Sequence, residues 1–485
     1  MTFATPARTA CAIVLLLGTT RAHAQSAPPA PRPDEQFDFM NLITASGLHD
    51  IQNESWNAYG QINLMGQAHP GFPAQYTDLN GSPNSLSNHP EWGFTGTATL
   101  YVGVRLWKGA EAYFVPEVIS EQPFSNLKGL GLIQNFELQK GGSLAPQIYR
   151  SRAFLKQTIG LGGGPDVKAS DPLQLGASYD RRRIVIALGN FSILDFFDKN
   201  SVLGDLRQTF FGLGFLTYAA WDFNSDARGY SYGGVVEFYW DDWAVRFGRV
   251  TPPVDPNQLP VDFKLWIHYG DALEVEHNHR LFGQPGTIRV LGFRNQDVMG
   301  RFSDAVAAFE SNPAENATTC TGFNYGSANS HAPDLCWVRK LNVKLGIGMD
   351  IEQHITDDIG VFIRGMYADG QTEVDAYGPT DRSLSFGAVA HGAPWNRKAD
   401  IAGIGANFGW ISAEHAQYLL LGGIDGFVGD GTITPATETS LEAFYSLNFL
   451  SSIWFSGDYQ LIINPAFNSA RGPVNVFGVR LHAEF

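Results

Sequence analysis

The sequence predicts an all-β fold: a transmembrane antiparallel β-barrel of about 16 strands (16–18) with short inserted helices or loops. Three observations predict it. Segments of about 10 residues alternate apolar and polar side chains, the length a tilted membrane strand needs. The composition is rich in aromatics (34 Phe, 17 Tyr, 11 Trp) and in glycine (53), yet only 17% charged and 44% hydrophobic. Mean hydropathy is -0.12, below what a bundle of membrane helices requires. Third, no later stretch reaches about 18 consecutive apolar residues, so a membrane location demands a closed barrel, where strands satisfy one another's backbone.

The elements follow in chain order. Residues 1–24 have the form of a signal peptide: Arg8 is the basic head, Cys11 to Gly18 the short apolar run, and Ala22-His23-Ala24 a cleavage site. Cleavage after Ala24 removes Arg8 and Arg21, leaving 31 basic against 48 acidic residues, a net charge of -17. Such an acidic chain is a poor partner for nucleic acid. Cys320 and Cys336 then remain, an even pair in an oxidising compartment, expected to form a disulfide. Closing that loop of about 15 residues constrains the unfolded chain by ~3 kcal/mol. Residues 25–50, with Pro28, Pro29, Pro31 and Pro33, read as an extended periplasmic segment.

Residues 51–485 are expected to form the barrel. The terminal segment is the cleanest: Phe477, Val479, Leu481, Ala483 and Phe485 share one face, and Gly478, Arg480, His482 and Glu484 the other. The stretches 341–352, 361–367, 440–449 and 453–463 repeat the pattern. Weaker candidates begin near Trp56, Thr95, Glu111, Gln147, Gln174, Arg183, Gly212, Tyr232, Trp243, Leu273, Thr287, Ile401 and Glu414. Alternation alone also suits a soluble sandwich. The length and number of the strands, the aromatics at strand ends (Trp240, Trp243, Trp410, Trp454) and the final Phe485 favour the membrane. A C-terminal strand ending in Phe485 also makes the outer-membrane assembly machinery an expected partner, beside outer-membrane lipid.

Several stretches resemble the carbohydrate-selective porins of the OprB-type family. They are Tyr101 to Glu117, Tyr149-Arg150-Ser151-Arg152-Ala153-Phe154-Leu155-Lys156, Gly189 to Asn200, and Gly270 to Glu276 continuing to Gly300-Arg301-Phe302-Ser303-Asp304-Ala305. Their order along the chain is the stronger signal. The resemblance implies a 16-stranded barrel in the outer membrane of a Gram-negative bacterium, passing mono- or small oligosaccharides by diffusion. Monomer and homotrimer both fit.

Alternation assigns the lumen-facing candidates. Arg150, Arg152 and Lys156 share one face, Arg246 opposes Trp243 and Phe247, and Glu274 and Glu276 oppose Leu273 and Val275. Arg364, Lys344, Asp350, Glu352, Glu442, Asp458 and Arg480 extend the set. Sugars present hydroxyls and an apolar ring face, so charged donors and acceptors beside aromatics suit them. Asp195, Asp198 and Asn200 lie between strands and offer oxygens, but without the spacing of a calcium loop their expected role is structural. Glu276 alternates away from His277 and His279, which spoils a zinc site. No nucleophile–base motif stands out. No catalytic residue, metal or cofactor is therefore expected. A general or anion-preferring channel, a barrel enzyme and a plugged structural barrel are the competing readings.

Overall fold

The computed structural model describes residues 39–139, 142–313 and 331–485. The alternating segments become long strands. In chain order they are β1 (Trp56–His69), β2 (Glu91–Trp107), β3 (Ala110–Gln122) and β4 (Gln147–Gly160). A small hairpin, β5 (Pro165–Lys168) and β6 (Ala177–Asp180), interrupts the series. Then follow β7 (Arg183–Phe191), β8 (Ser231–Trp240), β9 (Trp243–Val250), β10 (Tyr269–Leu281) and β11 (Gln284–Met299). Next come β12 (Lys340–His354), β13 (Ile359–Ala368) and β14 (Arg382–His391). The last are β15 (Ile401–Trp410), β16 (Glu438–Leu450), β17 (Ile453–Ile463) and β18 (Val474–Glu484). All but β5 and β6 join one closed antiparallel barrel of 16 strands, in which chain neighbours are sheet neighbours and β4 pairs with β7 across the excluded hairpin. Three short α-helices, α1 (Phe39–Ala45), α2 (Phe302–Ser311) and α3 (Ala413–Leu420), lie outside the strands among the described residues.

Period-two alternation gives the wall two chemistries. On β18, Phe477, Val479 and Leu481 point outward and are 55%, 51% and 40% exposed, whereas Arg480 and His482 point inward and are 0% exposed. Closure is made by β1 on β18, from Gln61↔Glu484 to Ala68↔Phe477. Just beyond that ladder Gly60 and Phe485 exchange backbone hydrogen bonds of 2.6 and 2.9 Å. A Cβ on Gly60 would sit 2.2 Å from the Phe485 ring, so glycine is needed where the terminal aromatic crosses the seam.

One rim carries the start of β1, the end of β18 and the tight turns 108–109, 241–242, 282–283 and 451–452. The other carries the long connections, whose described residues are 70–90, 123–139 with 142–146, 192–230, 251–268, 300–313 with 331–339, 369–381, 411–437 and 464–473. In outer-membrane barrels the short turns are periplasmic and the long loops extracellular. Cys336 is disulfide-bonded; Cys320, its expected partner, lies outside the described residues.

Three strand candidates take other forms. Gln174 lies in the loop of the β5–β6 hairpin, Gly212 in an inward-folded connection, and Glu414 in α3, where the Ser412 hydroxyl caps the helix by accepting from His415 N–H at 3.0 Å. Strand β14 was not anticipated, because Ser383, Ser385, Gly387, Ala388 and Ala390 blur its alternation.

The hydrophobic core lies inside the barrel. Connection 192–230 leaves β7, folds into the lumen and carries an aromatic cluster with it. Phe210 stacks on Phe215 at 4.0 Å and meets Phe444 of β16 edge-on at 4.8 Å, while Phe362 of β13 closes the group at 6.2 Å. Burying each such ring contributes about 1.5–3 kcal/mol. Connection 123–146 folds in beside it: Phe136 N–H donates to Phe211 O at 2.8 Å, and Leu213 N–H to Ile133 O at 2.8 Å.

Candidate functional site

Inward-facing charges of the wall meet the backbone of connection 192–230, and that meeting defines the interior. Glu274 of β10 accepts from Asp198 N–H at 2.9 Å, and Glu352 of β12 from Ser201 N–H at 2.5 Å. Asp350 accepts from the Asn200 amide at 3.0 Å. Across the barrel, Glu442 of β16 accepts from the N–H groups of Phe211 and Gly212. Arg480 of β18 donates to Leu206 O at 2.7 Å and Thr209 O at 2.6 Å. At the far end of the connection Asp222 pairs with Lys344 at 2.8 Å and accepts from the backbone of Asp375, Ala376 and Tyr377. Burial would raise the Asp222 carboxyl; Lys344 and those N–H groups outweigh it and hold the group below the usual range. The connection is thereby tied to four strands and to connection 369–381.

The wall charges also pair with one another. Arg246 reaches Glu274 at 2.7 Å and Glu237 and Glu276 at 3.0 Å each. Arg289 continues the chain to Glu276 at 2.9 Å and to Asp350 and Glu352 at 3.1 Å each. Arg246, Glu274 and Glu276, which the sequence offered as separate lumen-facing candidates, are joined as a buried brace behind the inserted connection. Arg152 forks onto Asp195 with two 2.7 Å bonds and lies 5.2 Å over the Tyr230 ring. Lys156 pairs with Glu111 at 2.8 Å. Asp195, Asp198 and Asn200 all have protein partners.

Arg150 does not share the face of Arg152 and Lys156. It is exposed, and its guanidinium bonds Asn190 at 3.4 Å and the Tyr232 hydroxyl on the outer side. The reason is a β-bulge: β3 pairs Val115 with Arg152 but Pro116 with Arg150. Ser151 is the extra residue, turned inward with its hydroxyl on Val115 O at 3.0 Å. One inserted residue inverts the alternation beyond it.

A cavity of about 400 Å³ remains in the lumen. Its lining comes mostly from residues 194–216 of the inserted connection, with Phe136 from connection 123–146 and Arg364 as the one wall residue. Arg364 is buried, donates to Phe215 O at 3.3 Å and lies 3.4 Å from Asp198; among the described residues its Nε and Nη2 make no hydrogen bond. Arg207 pairs with Glu137 at 2.9 Å. Lys199 has no carboxylate partner among the described residues and is exposed toward the cavity. The enclosing barrel lowers its ammonium below the ordinary lysine range, against the pull of Asp195. The cavity therefore sets donors and acceptors (Lys199, Asn200, Ser201, Asp205, Arg207) beside the apolar faces of Phe136, Phe197 and Phe215. Lys199, Asp205 and Arg207 were not among the lumen candidates, because strand alternation cannot reach a connection. Their only sequence signal is charge scattered through an aromatic-rich, non-alternating stretch.

A closed 16-stranded barrel with a polar interior narrowed by an inserted connection defines an outer-membrane channel of the porin class. The profile of the "Carbohydrate-selective porin, OprB family" matches residues 83–485, and the chain belongs to that family. The high-pH structure of Pseudomonas putida OprB superposes with a TM-score of 0.62 at 14% identity, covering 89% of this chain and 94% of that one. The low-pH structure of the same protein gives a TM-score of 0.46 at 11% identity, covering 93% and 98%. The outer membrane channel DcaP of Acinetobacter baumannii gives 0.46 at 8% identity, covering 89% and 97%. No curated protein matches. Family and fold place the chain in the Gram-negative outer membrane, as a channel with carbohydrate solutes.

Proposed function

We propose that mono- and small oligosaccharides diffuse passively through the cavity lined by connection 192–230, and that this connection, rather than the wall, selects them. The observation that carries the reading is the lining: charged and amide groups for hydroxyls, and three phenylalanine faces for sugar rings, in about 400 Å³. That volume is within the usual range of small-ligand cavities, about 300–1,000 Å³. Signal cleavage after Ala24, a periplasmic segment over 25–50 and recognition of the Phe485 strand during membrane insertion belong to the same proposal, as does the lack of enzymatic activity.

Liposome swelling tests it. Protein-bearing liposomes are expected to swell fast with hexoses, more slowly with disaccharides and hardly at all with longer oligosaccharides. Equal rates for a hexose and an uncharged polyol of the same size would contradict carbohydrate selection. A second reading, an anion-preferring channel, draws on Lys199 and predicts that Lys199→Gln moves the reversal potential in a salt gradient toward cations without altering hexose rates.

A further inference from the structure

The lipid-facing wall carries a patch of cations on its long-loop side. Arg249 of β9, Asp271 of β10 and Arg294 of β11 stand in one cross-strand row, because Asp271 pairs with both neighbours. All three point outward, like Phe247, Leu273 and Val290 on the same strands. Arg249 makes two 2.7 Å bonds to Asp271 and lies 3.9 Å over the Tyr269 ring. Arg294 lies 5.5 Å from the same ring, and its guanidinium donates to Gln296 at 2.7 Å. Arg150, displaced to this side by the bulge, sits against Tyr232, whose ring packs on Phe263 at 4.9 Å. Connection 251–268 adds Lys264, and exposes Phe263 (60%) and Trp266 (77%) beside the cations.

We propose that this face, from β4 round to β11 at the extracellular rim, binds a phosphorylated lipid of the outer leaflet. Charge is the first reason. The chain as a whole carries -15, yet among the described residues the ion pairs of Arg150, Arg249, Arg294 and Lys264 are those of Arg249 with Asp271 and of Lys264 with Asp262. Neither Arg150 nor Arg294 has a carboxylate partner among the described residues. The second reason is position. Arginine on a lipid-facing wall is tolerated near the interface and not at the midplane, and at the interface a planar guanidinium meets phosphate as a two-toothed donor. The third is the aromatic surface of Phe263 and Trp266, which suits acyl chains next to the headgroup. A second copy of the chain packed here would bury Arg150 and Arg294 without counter-charges, at a desolvation cost a lipid phosphate removes.

The test uses the full-length mature protein in detergent, titrated with diphosphoryl lipid A and with dephosphorylated lipid A and read by native mass spectrometry. The diphosphoryl form is expected to bind at least tenfold tighter. The double variant Arg150→Gln/Arg294→Gln should lose at least tenfold of that affinity, while Lys108→Gln, on the tight-turn rim, keeps it. Sugar-driven swelling and the folded band on unheated gels should stay unchanged in both variants, which separates this proposal from the channel reading. Equal binding of the two lipids overturns it, as does undiminished binding by the double variant. A double variant that changes the oligomer mass but not lipid binding also overturns it, and assigns the face to a second copy.

Discussion

Replacing Arg246 with methionine will destabilise the barrel by about 3–5 kcal/mol, the cost of removing one partner from a buried ion pair. The effect is large because one guanidinium serves three carboxylates. Glu237, Glu274 and Glu276 all lie within 3.0 Å of it. Of these, among the described residues, Glu276 alone has a second cation, Arg289. Methionine fills the volume but leaves like charges facing one another out of water. The loss should appear as a lower urea midpoint for conversion of the folded to the unfolded gel band. The comparison variant is Arg182→Gln, which breaks the 2.6 Å pair with Asp241 on an exposed turn; exposed pairs are screened by water, and its midpoint should hardly move. Equal midpoints for the two variants would mean that the brace is not buried.

The second large effect is on conduction. Glu442 and Arg480 hold connection 192–230 by four bonds to its backbone. Hydrogen bonds to charged groups contribute about 1.5–3 kcal/mol each. The Phe210–Phe215 cluster still anchors the segment through its rings, about 1.5–3 kcal/mol apiece. The double variant Glu442→Gln/Arg480→Leu should therefore loosen the connection without expelling it. Single-channel conductance should rise several-fold and become noisier, and the swelling rates of hexoses and trisaccharides should converge. Unchanged conductance and an unchanged size limit would show that the connection does not set the passage.

What the sequence revealed and what it hid divide along one line. Alternation is local, and wherever the wall is regular it is decisive: β18 and β12 could be read residue by residue, with Arg480, Asp350 and Glu352 on the inner face. A bulge is also local, but it leaves no mark in a pattern of apolar and polar letters. Ser151 is small and polar and would suit either face, so Arg150 was placed with Arg152 when it belongs outside. The interior was the least legible. Residues 212–219 are apolar because they fill the lumen, and an apolar run of that length imitates a strand. Lys199, Asp205 and Arg207 take their role from pairings across the barrel: Ser201 with Glu352, Phe211 with Glu442 and Leu206 with Arg480. Spacing along the chain cannot express these contacts. Wall charges that look like the lining of a channel when strands are read singly become, once the connection is in place, the groups that hold it.

Cysteine accessibility tests that distinction most directly. Cys336 is already in a disulfide, so it does not compete for a thiol reagent. Lys199→Cys places a thiol on the inserted connection facing the cavity, and Ala187→Cys places one on the inner wall, buried in the hydrophobic cluster that the connection shares with the wall. With a methanethiosulfonate reagent added to open channels in a planar bilayer, conductance should fall at Lys199→Cys and stay constant at Ala187→Cys. A fall at Ala187→Cys with no response at Lys199→Cys would mean that solutes pass along the wall.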